Sequence, residues 1–285
     1  MPVLLSANKQ DLGAVVVRRI LPNVQQQMIG PFIFFDHFGP VTFAAGQGFD
    51  VRPHPHIGIA TITYLFDGSI LHRDSLGNTQ EIVPGDINWM VAGSGIVHSE
   101  RETKAVRQRE HRLHGLQLWI ALPDGQEAID PLFRHYPRQD LPHFVHHGIT
   151  IKLMIGSIWG YRSPVAVYSE MLYADFTMPQ GTSATLPIDT YQYGVYVIAG
   201  ELSDQAGKRY KTHDFLYFDV HESIVLTANQ ESKIVVVGGE PFNSQRYLWW
   251  NFVASSKERI AMAKLTWFNG EFATIPGEND FIPLP

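Results

Sequence analysis

The chain contains two stretches that resemble each other, and this repetition constrains the fold more than any other feature of the sequence. "TYLFDG", which ends at Gly68, resembles "VYVIAG", which ends at Gly200, and "PGD" ending at Asp86 resembles "THD" ending at Asp214. Most other segments are short, alternating or β-branched runs that close with Gly, Asn or Asp. An internal duplication is the economical interpretation. The sequence therefore predicts an all-β protein made of two similar antiparallel barrels or sandwiches.

A proline-rich stretch interrupts this pattern near the middle of the chain. "PDGQEAIDPLFRHYPRQDLPHF", which starts at Pro123, holds four prolines and many charges. Such a composition is typical of a link between two halves. We expect a first domain at residues 1–130 and a second domain at residues 131–285.

The segment "SSKERIAMAKLTWFNGEF" near the C-terminus predicts a short helix. Ser255 and Glu258 fit a capping box, and Gly270 lies beyond the expected end of the helix. We expect this helix to be a packing element.

The composition excludes several classes of function. A formal net charge of -6 without a basic cluster leaves nothing to neutralise a run of phosphates, so direct nucleic-acid binding is not expected. The absence of cysteine excludes disulfides, thiolate nucleophiles, iron–sulfur clusters and cysteine zinc sites. No apolar run reaches the about 18 residues of a membrane span, and the N-terminus lacks the basic and apolar regions of a secretory leader. We therefore expect a cytoplasmic protein with neither a nucleic-acid nor a membrane partner. We also expect a monomer, because nothing in the sequence demands an oligomer.

Four polar residues of the first half have apolar counterparts in the second. The anchors named above allow positions in the two halves to be compared by counting along the chain from them. By this count His54, His56, His98 and Glu100 fall on Leu186, Ile188, Leu226 and Ala228, respectively. A duplicated scaffold that kept a metal in one copy and filled the other with hydrocarbon would leave this pattern.

These four polar residues have the chemistry of a metal site. Side chains two residues apart on a strand point to the same face, so His54 and His56 project together, as do His98 and Glu100. Three imidazoles and one carboxylate suit iron, manganese, nickel, copper or zinc, and suit calcium or magnesium poorly. A barrel mouth would leave coordination positions to water, which favours a catalytic site. A lone His-x-His run often occurs by chance. Here the four polar residues have apolar counterparts in the second half, and this difference between the halves favours metal binding.

The same residues resemble the motifs of the cupin superfamily, and within it those of the pirins. Gly48, five further residues and His54-x-His56 resemble the start of the first cupin motif, although the Glu that usually follows the second His is missing. "GSGIVH", which ends at His98, resembles the second motif with Gly93 in place of its proline. The carboxylate stands instead at Glu100, two residues after His98, which is the pirin arrangement.

Other stretches extend the resemblance over most of the chain. They are "GPFIFFDHFGP" from Gly30, "PGDINWMVAGSGIVHSE" from Pro84, "GLQLWIALP" from Gly115 and "NFVASSKERI" from Asn251. The resemblance implies a bicupin, with two antiparallel β-barrel or jelly-roll domains facing each other and a metal only in the N-terminal barrel. It also implies that His54, His56, His98 and Glu100 hold one divalent ion, Fe(II) by similarity, with Mn, Ni, Cu, Co or Zn as alternatives.

The resemblance is compatible with two functions. Some pirins resemble quercetin 2,3-dioxygenases, which open a flavonol ring with O2 and release CO, and this implies a small aromatic substrate with Glu100 as the catalytic base. A nuclear pirin acts as a transcription cofactor, which implies a redox-sensing metal protein that works through protein partners. Because no exposed motif for a particular partner is evident, the sequence favours the enzyme. A purely structural metal is a third interpretation, disfavoured because a chain of this length has core enough without it.

Five further residues are candidates for roles around the site. Gln117 alternates with apolar neighbours in "GLQLW" and is expected to line the substrate cavity, as are His72 and Phe49. A satisfied inward amide, an exposed histidine and a core aromatic are the respective alternatives. Asp36 and His37 are candidate hydrogen-bond partners of the metal ligands, with turn stabilisation as the alternative.

Overall fold

The computed structural model describes residues 2–11, 15–187 and 190–285. They form an all-β protein with one longer helix near the C-terminus, which confirms the predicted fold class. The first elements are β1 (Val3–Leu5), β2 (Asn8–Asp11), β3 (Val16–Leu21), β4 (Phe32–Phe43), β5 (Asp50–His56), β6 (Ile59–Asp67), β7 (Ile70–Asp74), β8 (Thr79–Ile82), β9 (Ile87–Val91), β10 (Ile96–Arg101), α1 (Lys104–Arg107), β11 (His111–Ala121) and β12 (Leu132–Tyr136). After a 3-10 turn at Arg138–Asp140 come β13 (His143–His146), β14 (Ile149–Ile155), β15 (Ser157–Ile158), β16 (Tyr161–Arg162), β17 (Met171–Met178), β18 (Ser183–Leu186), β19 (Gln192–Ala199), β20 (Glu201–Asp204), β21 (Arg209–Lys211), β22 (Phe215–Phe218), β23 (Ile224–Ala228), β24 (Ser232–Gly239), β25 (Tyr247–Trp249), β26 (Phe252–Ala254) and α2 (Lys257–Phe268).

The chain divides into two compact units, each named here by its longest segment. The 34–138 unit comprises Lys9–Arg19, Phe34–Arg138 and Asn243–Pro285, and the 139–242 unit comprises Met1–Asn8, Ile20–Ile33 and Gln139–Phe242. The predicted boundary between residues 130 and 131 stays a prediction. The proline-rich stretch is more than a link, because it contains β12, which pairs with β9.

Both units are built on the same strand order. One seven-stranded sheet runs β12-β9-β6-β11-β4-β3-β2, and the other runs β1-β22-β19-β24-β17-β14-β13. Each unit adds a four-stranded sheet, β5-β10-β7-β8 in the 34–138 unit and β18-β23-β20-β21 in the 139–242 unit. Strands such as β6, with sequence "IATITYLFD", are rich in the β-branched residues that suit a pleated, buried surface. The matching orders support the duplication inferred from the sequence.

The turns used as anchors have the same geometry in both units. Gly68 and Gly200 have φ values of 87° and 93°, respectively, in the left-handed region where glycine is tolerated without strain. At the second turn the side chains of Asp86 and Asp214 both accept a hydrogen bond from the backbone N–H three residues earlier. The anchors therefore match in structure as well as in sequence.

The counterparts of the first two histidines need a correction of two residues. His98 pairs with His54 across β10 and β5, whereas Leu226 pairs with Ala184 across β23 and β18. The structural counterparts of His54 and His56 are thus Ala184 and Leu186, not Leu186 and Ile188, and Ile188 lies outside the described residues. Counting from Gly200 failed because the segment between β18 and β19 differs in length from the one between β5 and β6. The shift of two residues preserves the alternation, so the same face is involved.

The C-terminal helix α2 confirms the predicted helix with a different cap. Ser256, not Ser255, is the N-cap, and its side chain accepts a hydrogen bond from Arg259 N. Ser255 instead donates its hydroxyl to Glu127 Oε2 at 2.8 Å. Ile260 and Ala263 are the buried residues of the helix. Within the described part of the chain, no helix has the length and apolar character needed to cross a bilayer.

Candidate metal centre

Three buried histidines meet where β5 and β10 pair. His54 lies opposite His98 in the antiparallel register, and His56 lies two residues further along β5. The ring centroids are 4.4 Å apart for His54–His98, 4.9 Å for His54–His56 and 5.0 Å for His56–His98. Each histidine offers a ring nitrogen, and the three nitrogens lie within 4.8 Å of one another. The alternation of two short strands has therefore brought together three donors separated by up to 44 residues in sequence, from His54 to His98.

The hydrogen bonds behind the first two rings determine which nitrogen is free. His54 Nδ1 lies 2.9 Å from the carbonyl oxygen of Arg52, and His56 Nδ1 lies 3.2 Å from the carbonyl oxygen of Asn251. A carbonyl oxygen can only accept, so each Nδ1 carries the proton and donates it. In the neutral ring Nε2 then keeps its lone pair. Both side chains thus present the unprotonated nitrogen that metal ligation requires.

The spacing between two of these nitrogens fits a shared cation. Nε2 of His56 and Nε2 of His98 are 3.1 Å apart. Two imidazole nitrogens bound to one ion at about 2.1 Å, with an angle of about 90–110° between the bonds, are separated by about 3.0–3.4 Å. When Nδ1 of both rings carries the proton, no hydrogen bond can join the two Nε2 atoms and their lone pairs repel. A divalent ion between them removes this repulsion, so the donor set fits a metal.

Burial keeps the three imidazoles in the neutral form. Burial lowers the pKa of His54 to about 4, partly opposed by its hydrogen bond to Arg52 O. The pKa values of His56 and His98 lie well below the usual range, first because of burial and then because of the neighbouring histidines. Neutral imidazole is the form that binds metals, so no proton competes with an ion near neutral pH.

Glu100 is buried beside the histidines in a polar cluster of its own. Its Oε1 accepts a hydrogen bond from the Thr63 hydroxyl at 2.6 Å, and that hydroxyl also lies 3.1 Å from Oε1 of Gln117. The register between β10 and β5 shifts between His98 and Glu100, and a bulge of this kind re-aims side chains. The carboxylate is not among the atoms that meet within 4.8 Å. Burial raises the pKa of Glu100, while the hydrogen bond from Thr63 lowers it in part.

His72 stands behind His98. Its Nδ1 lies 3.4 Å from Nδ1 of His98, and its Nε2 lies 3.0 Å from Oδ2 of Asp74. His72 is 2% exposed, and its ring stacks on Phe133 with centroids 4.2 Å apart. Burial would raise the pKa of Asp74, but hydrogen bonds from His72 and Asn78 outweigh it and leave that pKa below its usual value.

Aromatic rings pack against the other side of the histidine cluster. Trp119 meets His56 edge-on, with centroids 5.0 Å apart and an interplanar angle of 75°. Phe34 stacks on Trp119 at 3.9 Å, and the Arg19 guanidinium lies 4.3 Å from the Phe34 ring. These rings give the His56 side of the site an apolar surface.

Three of the predicted residues have contacts away from the metal ligands. Asp36 accepts two hydrogen bonds from Arg19, at 2.8 and 2.7 Å, and burial raises its pKa despite this partner. Nε2 of His37 lies 2.7 Å from Nε2 of His114. Phe49 stacks on Phe38 at 5.8 Å and packs against an apolar cluster. The roles proposed for these residues around the metal or substrate stay predictions.

Comparison with known proteins agrees with this geometry. The Pirin family profile matches residues 14–120, and the profile of the Pirin C-terminal cupin domain matches residues 173–273. The chain belongs to the pirin family. It thus contains two cupin domains, as the resemblance implied.

Known proteins resemble this chain over most of its length. A "Pirin-like protein" of Caulobacter vibrioides is 41% identical over 99% of each chain. A protein of Pseudomonas aeruginosa named "Putative quercetin 2,3-dioxygenase PA1205" is 39% identical over 91% of this chain and 81% of its own length. The crystal structure of a quercetin 2,3-dioxygenase from Acinetobacter baumannii has a TM-score of 0.90 and 35% identity, covering 100% of this chain and 94% of its own.

The second unit of this pirin is apolar where the first holds its histidines. The counterparts Ala184, Leu186, Leu226 and Ala228 all belong to the buried hydrophobic core of the 139–242 unit. Hydrocarbon therefore fills the positions that are polar in the 34–138 unit. The predicted contrast between polar and apolar side chains is confirmed at these positions, after the correction by two residues on β18, and a metal in the first unit alone stays a prediction.

Sequence reasoning missed several contributors to the site of this pirin. Thr63 was visible only as a hydroxyl within an apolar strand, and Asp74 looked like an ordinary turn residue. Asn251 acts through its backbone carbonyl, 195 residues from His56, and no side-chain pattern signals such a contact. Trp119 lies two residues beyond Gln117 and therefore shares its face, so the alternation that identified Gln117 could have identified Trp119 as well.

Proposed function

We propose that the protein is a metal-dependent dioxygenase of the quercetin 2,3-dioxygenase type, which opens a flavonol ring with O2 and releases CO. The observation that carries this proposal is the convergence of three buried, neutral imidazoles within 4.8 Å, two of which, His56 and His98, have an Nε2 spacing that fits one ion. The named activity of the Pseudomonas and Acinetobacter relatives, at 39% and 35% identity, supports the choice of reaction. The substrates are a small aromatic flavonol and O2.

The metal that we propose is Fe(II), held by His54, His56 and His98 with Glu100 as a fourth ligand. An imidazole-rich set with one carboxylate suits iron, and it also accepts Mn, Ni, Cu, Co or Zn. When bound, the ion supplies open coordination positions and lowers the pKa of an oxygen attached to it.

We assign Glu100 the role of general base for the flavonol 3-hydroxyl. Because burial raises its pKa, this carboxylate is a stronger base than an exposed glutamate. Thr63 holds one carboxylate oxygen and so orients the other. When Glu100 takes up a proton, the Thr63 hydroxyl can turn its own hydrogen towards Gln117 Oε1 at 3.1 Å. The Thr63 oxygen can then accept a hydrogen bond from the protonated carboxyl group.

The apolar rings beside His56 suit an aromatic substrate. Trp119 lies edge-on against His56 and Phe34 stacks on Trp119, so this side of the site is apolar and suits contact with an aromatic ring. Exclusion of water by these rings would protect the substrate anion and strengthen the hydrogen bonds within the site. Gln117 remains our candidate for a polar contact to the substrate.

Oxygen uptake with a panel of flavonols tests the proposal. Iron-loaded protein should consume O2 and release CO with quercetin, and anaerobic addition of quercetin should perturb the absorbance of the bound flavonol. His98→Ala serves as the metal-site variant and should be inactive. Iron-replete protein that neither perturbs the flavonol spectrum nor consumes O2 would contradict the enzyme. It would favour the alternative of a redox-sensing regulatory protein.

A further inference from the structure

We infer that Asp74 and His72 form a relay that fixes His98 in the tautomer whose Nε2 can bind a metal ion. Both are positioning residues, since they act on the substrate and the metal only through His98. The inference rests on the proposed metal function and adds to it the residues that set one ligand. It also replaces the expectation that His72 lines the substrate cavity.

Asp74 is held rigidly by the turn that follows β7. Its side chain is 0% exposed, and its Oδ1 accepts hydrogen bonds from the backbone N–H groups of Leu76 at 2.9 Å and Asn78 at 3.0 Å. The Asn78 amide donates to Oδ2 at 2.9 Å. These bonds prevent the carboxylate from rotating, so Oδ2 stays directed at His72 Nε2.

The ring of His72 is fixed as firmly as its carboxylate partner. Phe133 covers one face with an interplanar angle of 12°. Asp74 fixes one nitrogen at 3.0 Å, and the other nitrogen faces Nδ1 of His98 at 3.4 Å. His72 therefore has one orientation in which both of its nitrogens have partners.

The positions of the protons follow from what each atom can do. An ionised carboxylate only accepts, so Nε2 of His72 carries a proton and donates it to Asp74. In the neutral ring Nδ1 is then an acceptor, and Nδ1 of His98, which faces it at 3.4 Å, is the donor in the relay. His98 Nε2 is left with its lone pair, directed at His56 Nε2. The relay thus does for His98 what backbone carbonyls do for the other two histidines.

The duplicated unit shows that the turn does not need the histidine. Asp204 lies opposite Leu226 as Asp74 lies opposite His98, and its Oδ1 accepts from the backbone N–H groups of Ala206 and Lys208. The aspartate is therefore part of the turn in both units.

What differs between the units is the residue that uses the second carboxylate oxygen. Oδ2 of Asp204 accepts from the Tyr210 hydroxyl at 2.7 Å, and the counterpart of His72 is the buried Leu202. The histidine of the relay is present only in the unit that has the three imidazoles. This distribution links His72 to the histidine site and not to the fold.

Asp74→Asn is the most discriminating variant. The amide oxygen at the place of Oδ1 can keep the two backbone hydrogen bonds and the 3.1 Å bond from the Asn78 amide. The NH2 group then takes the place of Oδ2 and faces His72, with the loss of the second bond from Asn78. His72 Nε2 must then accept, its Nδ1 becomes the donor, and the proton of His98 is displaced to Nε2. His72→Phe removes the relay while keeping an aromatic ring against Phe133. His72→Gln can restore the relay, because an amide group both donates and accepts hydrogen bonds. His135→Phe is the control, since it replaces a histidine whose ring contacts Asn88 outside the relay.

Two measurements on these variants test the inference. ¹⁵N NMR of the metal-free protein reports which nitrogen of His98 carries the proton, and titration with Zn²⁺ against a competing chelator gives the affinity. We expect Nδ1–H in the wild type and Nε2–H in Asp74→Asn. Zinc affinity should fall about 10–100-fold in Asp74→Asn and His72→Phe, and stay close to the wild type in His72→Gln and His135→Phe.

The outcomes separate the relay from the metal function. Folded Asp74→Asn with Nδ1–H at His98, or folded His72→Phe with wild-type zinc affinity, would overturn the relay. If Asp74→Asn fails to fold, His72→Phe and its rescue by His72→Gln decide. Wild-type protein that binds no zinc would contradict the proposed function, while the tautomer in the metal-free protein would still support or overturn the relay.

Discussion

Glu100 is the residue whose proposed chemistry depends most on its surroundings. It is buried, it accepts one strong hydrogen bond from Thr63, and its carboxylate stands outside the set of three converging nitrogens. Loss of its charge should therefore affect proton transfer more than metal retention.

Glu100→Gln tests this separation at the residue scale. The variant should keep most of its metal, because three imidazoles remain, and should lose flavonol-dependent oxygen uptake by about 100-fold or more. Glu110→Gln, at an exposed position, is the control and should be fully active. The measurements are the rate of oxygen uptake at an oxygen electrode and the metal content of each variant. Turnover of Glu100→Gln at the wild-type rate would contradict the assignment of Glu100 as the general base.

The residues that sequence could and could not identify differ in the kind of contact they make. His54, His56 and His98 were identifiable because alternation on a strand and a duplicated apolar partner both point to them. Asn251 and Asp74 were not, because their contacts to the site pass through a backbone carbonyl and a second histidine, respectively. Such contacts depend on the tertiary arrangement and leave no periodic trace in the sequence.

The turn between β9 and β10 immediately precedes the strand that carries His98. Gly93 has φ of 52°, and a Cβ atom placed on it would lie 2.0 Å from the carbonyl oxygen of Ile129. The proline usual at this place in cupins needs φ near −65° and could not adopt this conformation. The departure from the cupin motif noted in the sequence thus has a steric reason.

Gly93→Ala should destabilise the protein more than a glycine replacement in open space. Gly77 is a matched control, since its φ is 89° and a Cβ atom added there would meet nothing within 4 Å. We expect about 1 kcal/mol for Gly77→Ala and at least about 2–3 kcal/mol for Gly93→Ala, because the clash adds to the strain. Urea unfolding of both variants is the measurement. Equal free energies of unfolding for Gly93→Ala and Gly77→Ala would show that the turn at Gly93 relaxes without cost, and would contradict the predicted clash with Ile129.

At the scale of elements, the duplication predicted two similar units with apolar counterparts of the four polar residues, but counting along it misplaced the counterparts of His54 and His56 by two residues. The error of two residues arose because the segment between β18 and β19 is longer than the segment between β5 and β6. The conclusion that apolar residues occupy the positions equivalent to the histidines still holds, because a shift by an even number of residues leaves the same face of the strand buried.

At the scale of the whole molecule, each unit has an apolar core that does not depend on a metal. The three histidines occupy one corner of one unit, and hydrocarbon fills the equivalent corner of the other. An ion should therefore contribute binding energy to stability without being needed for folding.

Chelation should abolish activity before it disturbs the fold. We expect the metal-free protein to keep its β-sheet circular dichroism and a cooperative unfolding transition. Its free energy of unfolding should fall by about 2.7 kcal/mol relative to protein held at 100 times the dissociation constant for the metal. Collapse of the secondary structure on chelation would instead favour a structural metal.

Metal content after anaerobic reconstitution with Fe(II) tests the proposed site most directly. The wild type and an exposed-histidine control, His143→Ala, should each bind about one ion per chain, and His98→Ala should bind almost none. Wild-type protein without metal, or His98→Ala with as much metal as the control, would contradict the shared-ion geometry.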